Sequence, residues 1–295
     1  MPYADADGVR LYYEEAGSGT AIVFVHEFAT DHRGWEPQMR YFSRRYRCVA
    51  FNARGYPPSD VPDDPEAYSQ QIATDDIAHV MRHLGIARAH VVGLSMGANA
   101  TLQFGLDHAE MALSLTVAGG GYGSIAEHTE QFRADARGMA ERYETEGAQA
   151  VAEFYSQSPS RVQYRDKDPR GWAEFRATLE QHDAKGAALT MRGVQARRPS
   201  FWKFEEQLRA MTVPLLIVSG DEDDWCLDAS LYLKRTAPSA ALWVLPKTGH
   251  TINLEEADAF NRGLQDFFDT VEAGRWITRD LGALGKSAFF AGENT

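Results

Sequence analysis

The run His90-Val91-Val92-Gly93-Leu94-Ser95-Met96-Gly97 decides the reading of this 295-residue chain. Its first half is a short, continuous apolar stretch, the pattern of a strand buried on both faces. Its second half, Gly93-Leu94-Ser95-Met96-Gly97, reads G-x-S-x-G, and Ala98 to Asp107 after it reads as a helix. Strand, sharp turn and helix are the context in which this pentapeptide presents an exposed serine. The turn is tight enough to strain the serine backbone, and the flanking glycines remove side chains that would collide. The serine oxygen then stands at a sheet edge, beside a helix N-terminus whose free N–H groups favour developing negative charge. Ser95 is the expected nucleophile.

On either side of this run the apolar pattern repeats. Strand-like stretches fall at Ala21–Val25, Cys48–Phe51, Leu113–Val117, Val213–Val218 and Ala241–Leu245. The β-rich Val9–Tyr13 precedes a turn signal, Gly17-Ser18-Gly19. Between Tyr68 and Leu84, Ile72, Ile77, Val80, Met81 and Leu84 fall at helical spacing. Strands alternating with helices predict an α/β fold: a mostly parallel sheet with helices on both faces. The alternation breaks between Gly123 and Phe204, where stretches rich in Ala, Glu, Arg and Gln, such as Glu127–Glu146 and Gly171–His182, are punctuated by Pro159, Pro169 and Pro199. One crossover needs far fewer residues, so this insert is expected to form a helical lid over the sheet. The expected organisation is a core in two parts, 1–122 and 205–295, around a cap at 123–204. The second part ends in a tail with Leu281-Gly282-Ala283-Leu284-Gly285 and the apolar Ser287-Ala288-Phe289-Phe290, expected to dock on the body or on a neighbour.

Composition narrows the function classes. The chain is 24% charged and 44% hydrophobic, with 30 basic against 42 acidic residues and a net charge of −12. No basic surplus exists to neutralise phosphates, which argues against nucleic acid and against an anionic membrane surface. A chain of this length buries roughly 75% of its unfolded surface and needs no disulfide or metal staple. The N-terminus lacks the basic start and apolar run of a signal peptide. No apolar run approaches the ~18 residues of a membrane span. Two cysteines, Cys48 and Cys226, are too few for a disulfide framework and fit a reduced, cytoplasmic setting. The expected partner is a small-molecule substrate, and the oligomeric state stays open, a homodimer included.

A nucleophilic serine needs a base, and the base an orienting acid. Among nine histidines, His79 and His83 have metal-ligand spacing on one helix but no third ligand, and read as solvent-facing. His90 begins a strand, and His108, His128 and His182 read as surface residues on helical segments. His250 differs, because Leu245-Pro246-Lys247-Thr248-Gly249-His250 places it just past the last strand, where catalytic groups of open parallel sheets sit. The acid is sought after the preceding strand, in Gly220-Asp221-Glu222-Asp223-Asp224. The chain order is then Ser95, acid, His250.

With these motifs the chain resembles the α/β-hydrolase family over nearly its full length. Gly220-x-x-Asp223, Gly249-His250 followed by Asn253-Leu254-Glu255-Glu256, and Asn52-Ala53-Arg54-Gly55-Tyr56 add to that resemblance. It departs in Asn52, where the family has aspartate, and in Pro57-Pro58 at the second glycine. The resemblance implies an eight-stranded, mostly parallel sheet flanked by helices, with an inserted helical cap. It implies Asp223 as the acid, over Asp221, Glu222 and Asp224. It implies the N–H groups of Phe28 and Met96 as an oxyanion hole, and a structural His26 in His26-Glu27-Phe28-Ala29-Thr30. Glu27 stands where the family has glycine. A carboxylate there has three ways to avoid opposing the developing charge: to face solvent, to pair with a cation such as Arg54 or Arg33, or to be protonated and contact substrate. With Trp172 and Trp202 it is an expected substrate contact, although any one of Trp35, Trp172, Phe201, Trp202 and Phe204 reads more readily as ordinary core. Gly119-Gly120-Gly121-Tyr122-Gly123 lacks a phosphate-loop signature and reads as a hinge lining the site. Cys226 reads as a small buried hydrophobe. No cofactor and no metal are implied.

The implied chemistry is acyl transfer through a serine ester. A hydrolase of small carboxylic esters or lactones is the first reading. The alternatives are a carbon–carbon bond hydrolase of ring-cleavage products, a perhydrolase or haloperoxidase-like enzyme, and a non-enzymatic ligand receptor on the same fold. Serine at the elbow disfavours the dehalogenases and epoxide hydrolases of this fold, which use aspartate there.

Overall fold

The computed structural model describes residues 2–283. The apolar Ser287–Phe290 segment, expected to dock, lies outside the described residues. Eight strands form one sheet: β1 (Tyr3–Ala6), β2 (Val9–Ala16), β3 (Ala21–Val25), β4 (Arg47–Phe51), β5 (Ala89–Leu94), β6 (Ala112–Ala118), β7 (Leu215–Gly220) and β8 (Ala240–Leu245). Their order across the sheet is β1-β2-β4-β3-β5-β6-β7-β8. β1 and β2 run antiparallel at one edge, and every pairing from β4 to β8 is parallel. The sequence predicts seven of these strands to within a few residues. The four-residue β1 is too short to show a pattern, but the Asp7-Gly8 turn that returns it to β2, with both residues at positive φ, is a hairpin signal.

The continuous apolar runs have a simple cause: both sheet faces are covered. Val23, Val91, Leu115 and Ile217 pack with Ile77, Val80, Leu102 and Leu233. These come from α2 (Gln70–His83), α3 (Met96–Asp107) and α9 (Asp224–Thr236). The alternate residues Ile22, Phe24, Val92 and Val218 meet Phe42, Phe260, Leu264 and Phe268, which belong to α1 (Glu36–Phe42) and α11 (Ala257–Glu272). Each such side chain adds about 1.5–3 kcal/mol when fully buried. Local signals fix the helix ends. Ser69 caps α2 by accepting from Ile72 N–H, and Gly85, at φ +66°, ends it.

Between β6 and β7 the chain forms α4 (Ala126–Tyr155), α5 (Val162–Lys167), α6 (Pro169–Glu180) and α7 (Ala184–Thr190). α4 follows the expected Glu127–Glu146 helix, then bends at Gly147, whose φ of 82° and ψ of 173° are not helical, and resumes to Tyr155. Pro169 opens α6, and Asp168 caps it. After α7 come α8 (Glu205–Ala210), α9 and a short α10 (Ile252–Glu255) ahead of α11. The inserted helices bring Ala140, Tyr143, Val151, Ala187 and Met191 onto Phe28, Tyr56 and Met96, which lie just beyond the carboxyl ends of β3, β4 and β5. No helix among the described residues is long and apolar enough to cross a membrane.

His90 was expected only to start a strand. In the structure it is fully buried in β5, with Nδ1 2.7 Å from Ser114 Oγ and its ring stacked on Phe268. Burial, with the Arg88 charge adding, pushes its pKa down to about 3 from 6.5, although Glu272 lies 3.4 Å from Nε2. The unfolded chain therefore binds a proton that the folded chain refuses. The stability this represents is complete above pH 6.5 and is lost as pH falls towards 3. At pH 5 the loss is about 2 kcal/mol. A His90→Gln variant cannot titrate, so its melting temperature should fall less than the wild type's between pH 7.5 and pH 5. Equal falls in both proteins would contradict this origin of acid sensitivity.

Candidate active site

Four loops meet at the carboxyl edge of the sheet, one after each of β3, β5, β7 and β8. Ser95 closes β5 at φ 53° and ψ −109°. Its N–H donates to Ala118 O at 2.8 Å, and its carbonyl accepts from Asn99 Nδ2 at 2.9 Å. The glycines of the motif act as expected. A Cβ on Gly93 would lie 2.2 Å from Gly97 O, and one on Gly97 would lie 2.1 Å from Val25 O. The α3 N-terminus can therefore reach the end of β3 only with hydrogen at both positions.

His250 Nε2 lies 2.8 Å from Ser95 Oγ, and His250 Nδ1 lies 2.7 Å from Asp223 Oδ2. Asp223 is 2% exposed. Its sequence rivals are engaged elsewhere. Asp221 Oδ1 accepts from Thr248 N–H, Glu222 pairs with Lys247, and Asp224 is exposed at the start of α9. The loop carrying His250 is held from both sides. Gly249 N–H donates to the Glu255 carboxylate, and His250 N–H donates to Ser160 O in the insert at 2.9 Å. Gly119, at φ +56°, passes beneath the triad, and a Cβ there would come 3.3 Å from the imidazole.

Among the described residues, neither the Phe28 nor the Met96 N–H has a protein acceptor. Phe28 O is held by the Tyr56 hydroxyl at 2.9 Å, and the buried His26 accepts from Ala53 N–H through Nε2 at 3.0 Å. These bonds fix the loop after β3 with its amides free. Asn52 acts as a local brace. Its Oδ1 accepts from His32 N–H, and its Nδ2 donates to Tyr56 and Pro57 carbonyls.

Glu27 takes the second of the three expected courses, with a different cation. Arg161 Nη1 donates to Glu27 Oε1 at 2.8 Å, and Nη2 donates to Oε2. Arg54 instead pairs with Asp76, and Arg33 with Asp31. Burial alone would raise the Glu27 carboxyl, but the Arg161 guanidinium outweighs it and holds it below the usual range. The protonated, substrate-facing Glu27 is thus corrected: both carboxylate oxygens are taken by Arg161, which is itself 1% exposed.

The two tryptophans expected to contact substrate pack apart from each other. Trp202 is 39% exposed and stacks on Tyr232. Trp172 is half-buried, packs on the cluster around Tyr164 and Phe175, and donates to Ser156 O. The rings around Phe28 are instead Tyr56, Tyr143, Tyr155 and His182. His182, expected on the surface, is 8% exposed, and burial lowers its pKa to about 3. Neither of its ring nitrogens nor the Tyr143 hydroxyl has a partner, although all are buried. Their signal was helical spacing: Ala136, Ala140 and Tyr143 share one face of α4, and Phe175 and Leu179 lead to His182.

Asp223, Cys226 and His250 place donor atoms within 4.8 Å of one another, a geometry that could hold a metal ion. The Cys226 thiol is pushed well above its usual value by burial and then by Asp223. His250 and Asp223 already bond each other.

Comparison with known proteins agrees with the fold. A family model described as alpha/beta hydrolase fold matches residues 20–257. The chain is 24% identical, over 90% of its length and 97% of the relative's, to a putative 2-succinyl-6-hydroxy-2,4-cyclohexadiene-1-carboxylate synthase of Bacillus subtilis. It is 29% identical, over 88% and 91%, to a 2-hydroxy-6-oxononadienedioate/2-hydroxy-6-oxononatrienedioate hydrolase of Comamonas testosteroni. The crystal structure of an enol-lactonase from Burkholderia xenovorans superposes with a TM-score of 0.78 at 25% identity, covering 91% of this chain and 100% of that one.

The Glu27–Arg161 pair makes a measurable prediction. Removing one partner of a buried pair strands the other charge, at about 3–5 kcal/mol. Glu27→Gln should lose stability of that order in urea unfolding, and the double variant Glu27→Gln/Arg161→Met should recover part of it. Because Glu27 stays ionised, Glu27→Gln should keep both limbs of any pH–rate profile. A lost limb would show that Glu27 titrates in the reaction.

Proposed function

The chain belongs to the alpha/beta hydrolase fold family, and we propose that it is a serine hydrolase of small carboxylic esters or lactones. The observation that carries this reading is the continuous hydrogen-bonded line from Ser95 Oγ through His250 to Asp223, at 2.8 and 2.7 Å. Ser95 attacks the substrate carbonyl while His250 Nε2 accepts its proton. Asp223 holds the Nδ1–H and stabilises the imidazolium. The carbonyl oxygen gains charge where the Phe28 and Met96 N–H groups and the α3 N-terminus offer donors. Collapse of the tetrahedral intermediate returns the proton to the leaving alcohol and leaves an acyl-serine. Water, deprotonated by His250, then releases the acid. In a lactone the alcohol and acid belong to one molecule.

In this reading residues 123–204 are a cap that excludes water and shapes the acyl pocket. The two buried, unpaired cysteines fit a reducing compartment. A second reading, hydrolysis of a carbon–carbon bond in a ring-cleavage product, is favoured by the 29% identity to the Comamonas testosteroni hydrolase over most of both chains. It uses the same three residues. A panel of p-nitrophenyl esters and lactones against conjugated dienone acids separates the two by kcat/KM.

Ser95→Ala should lower kcat by about 10⁴ or more in a protein that still folds, and should abolish labelling by a fluorophosphonate. Asp223→Asn should approach a loss of about 10⁴, while Asp224→Asn should stay near wild type. Near-normal turnover in folded Ser95→Ala would overturn the serine mechanism. A reversed aspartate ranking would move the acid by one residue.

A further inference from the structure

Among the described residues three arginines are buried: Arg54, Arg161 and Arg198, at 9%, 1% and 8% exposure. The first two each meet a buried carboxylate through two guanidinium nitrogens, Arg54 on Asp76 and Arg161 on Glu27. Arg198 has no carboxylate partner among the described residues. Its Nη1 donates to Gln195 Oε1 and its Nη2 to Tyr122 O, both at 2.5 Å, and its Cζ stands 4.3 Å from the centre of the Phe132 ring. Neutral oxygens and an aromatic face offset only part of the cost of burying a cation. That cost is visible in the guanidinium's pKa, which burial lowers to about 10. At neutral pH the group still carries its charge, and five N–H donors are shared between two acceptors.

The position of this charge suggests its purpose. Tyr122, which holds Arg198, follows Gly119, and Gly119 lies against the His250 ring. The buried Cys226 packs on the same segment, its Sγ 3.4 Å from Gly119 O. Cys226 Sγ is in turn within 4.8 Å of donor atoms of Asp223 and His250. The nearby acids are committed: Asp223 to His250, and Asp135 to the Tyr122 hydroxyl and Gln131. The cation is therefore held, through Tyr122 O, by the segment that passes the His250 ring, with no carboxylate partner among the described residues.

We propose that Arg198 binds a carboxylate of the substrate, so that this enzyme selects esters or lactones carrying a free acid group. A single guanidinium matches one carboxylate in charge and in planar, two-pronged geometry, whereas a phosphate dianion would remain half neutralised. This inference rests on the serine-hydrolase reading of the same site.

The test compares p-nitrophenyl hydrogen glutarate with p-nitrophenyl methyl glutarate, which differ only in the charge of the remote end. Wild type should favour the acid by about tenfold or more in kcat/KM, the worth of a hydrogen-bonded ion pair away from bulk water. Arg198→Met should bring that ratio close to one, and Arg198→Lys should leave it in between. Glutarate should inhibit wild type competitively, and dimethyl glutarate should not, a result that needs no variant to fold. Equal turnover of the two esters by wild type overturns the proposal. So does an unchanged ratio in Arg198→Met with both rates reduced together, which would make Arg198 a structural clasp. Absence of any ester turnover and of fluorophosphonate labelling would overturn the serine-hydrolase reading instead.

Discussion

Ser95 is held at φ 53° and ψ −109°, a backbone state that costs a non-glycine residue of order 1–3 kcal/mol. It persists because its surroundings over-determine it. β5 is fully buried between β3 and β6, and α3 is docked on the end of β3 through Gly97. The Ser95 amide is tied to Ala118. Other features of the site follow from that constraint. The same turn sets Oγ 2.8 Å from His250 Nε2 and brings the start of α3 against the end of β3.

Electrostatics divide the site into settled and unsettled charge. The Glu27–Arg161 pair and the Asp223–His250 pair are internally balanced, and both cross between segments far apart in sequence. Glu27, a carboxylate next to an expected oxyanion donor, is tolerable because Arg161 neutralises it at bonding distance. The pair also ties the inserted helices to the sheet, as does the bond from His250 N–H to Ser160 O. Among the described residues, Arg198 alone of the buried arginines lacks such a partner. An unbalanced buried charge is expensive to keep for packing alone, and this is why it reads as half of an interaction that a substrate completes.

Much of this was legible in the chain. The apolar runs marked seven strands because a sheet covered on both faces imposes unbroken hydrophobicity. Ser95, Asp223 and His250 could be read because each follows directly on such a strand, at a spacing its motif defines. The rest depends on contacts with no local signature. Glu27 meets Arg161 across 134 positions, and nothing near either residue distinguishes Arg161 from Arg54 or Arg33. The surroundings of Phe28 depend on the path of α4 after its bend at Gly147, which one glycine does not announce. Trp202 misled because large aromatic residues suggest a pocket, yet its stack on Tyr232 leaves it 39% exposed. His182 misled in the opposite sense, being taken for a solvated helix residue when it continues the buried face of α6.

The central claim is that the reaction passes through an ester on Ser95. Its most direct test is rapid acid quench during turnover of a p-nitrophenyl ester, followed by mass spectrometry of the intact protein and of its peptides. The account predicts an added mass equal to the acyl group, carried by the peptide containing Ser95. An acyl group found on another residue, or turnover with no protein-bound acyl group at any quench time in both intact and Ser95→Ala proteins, would contradict it.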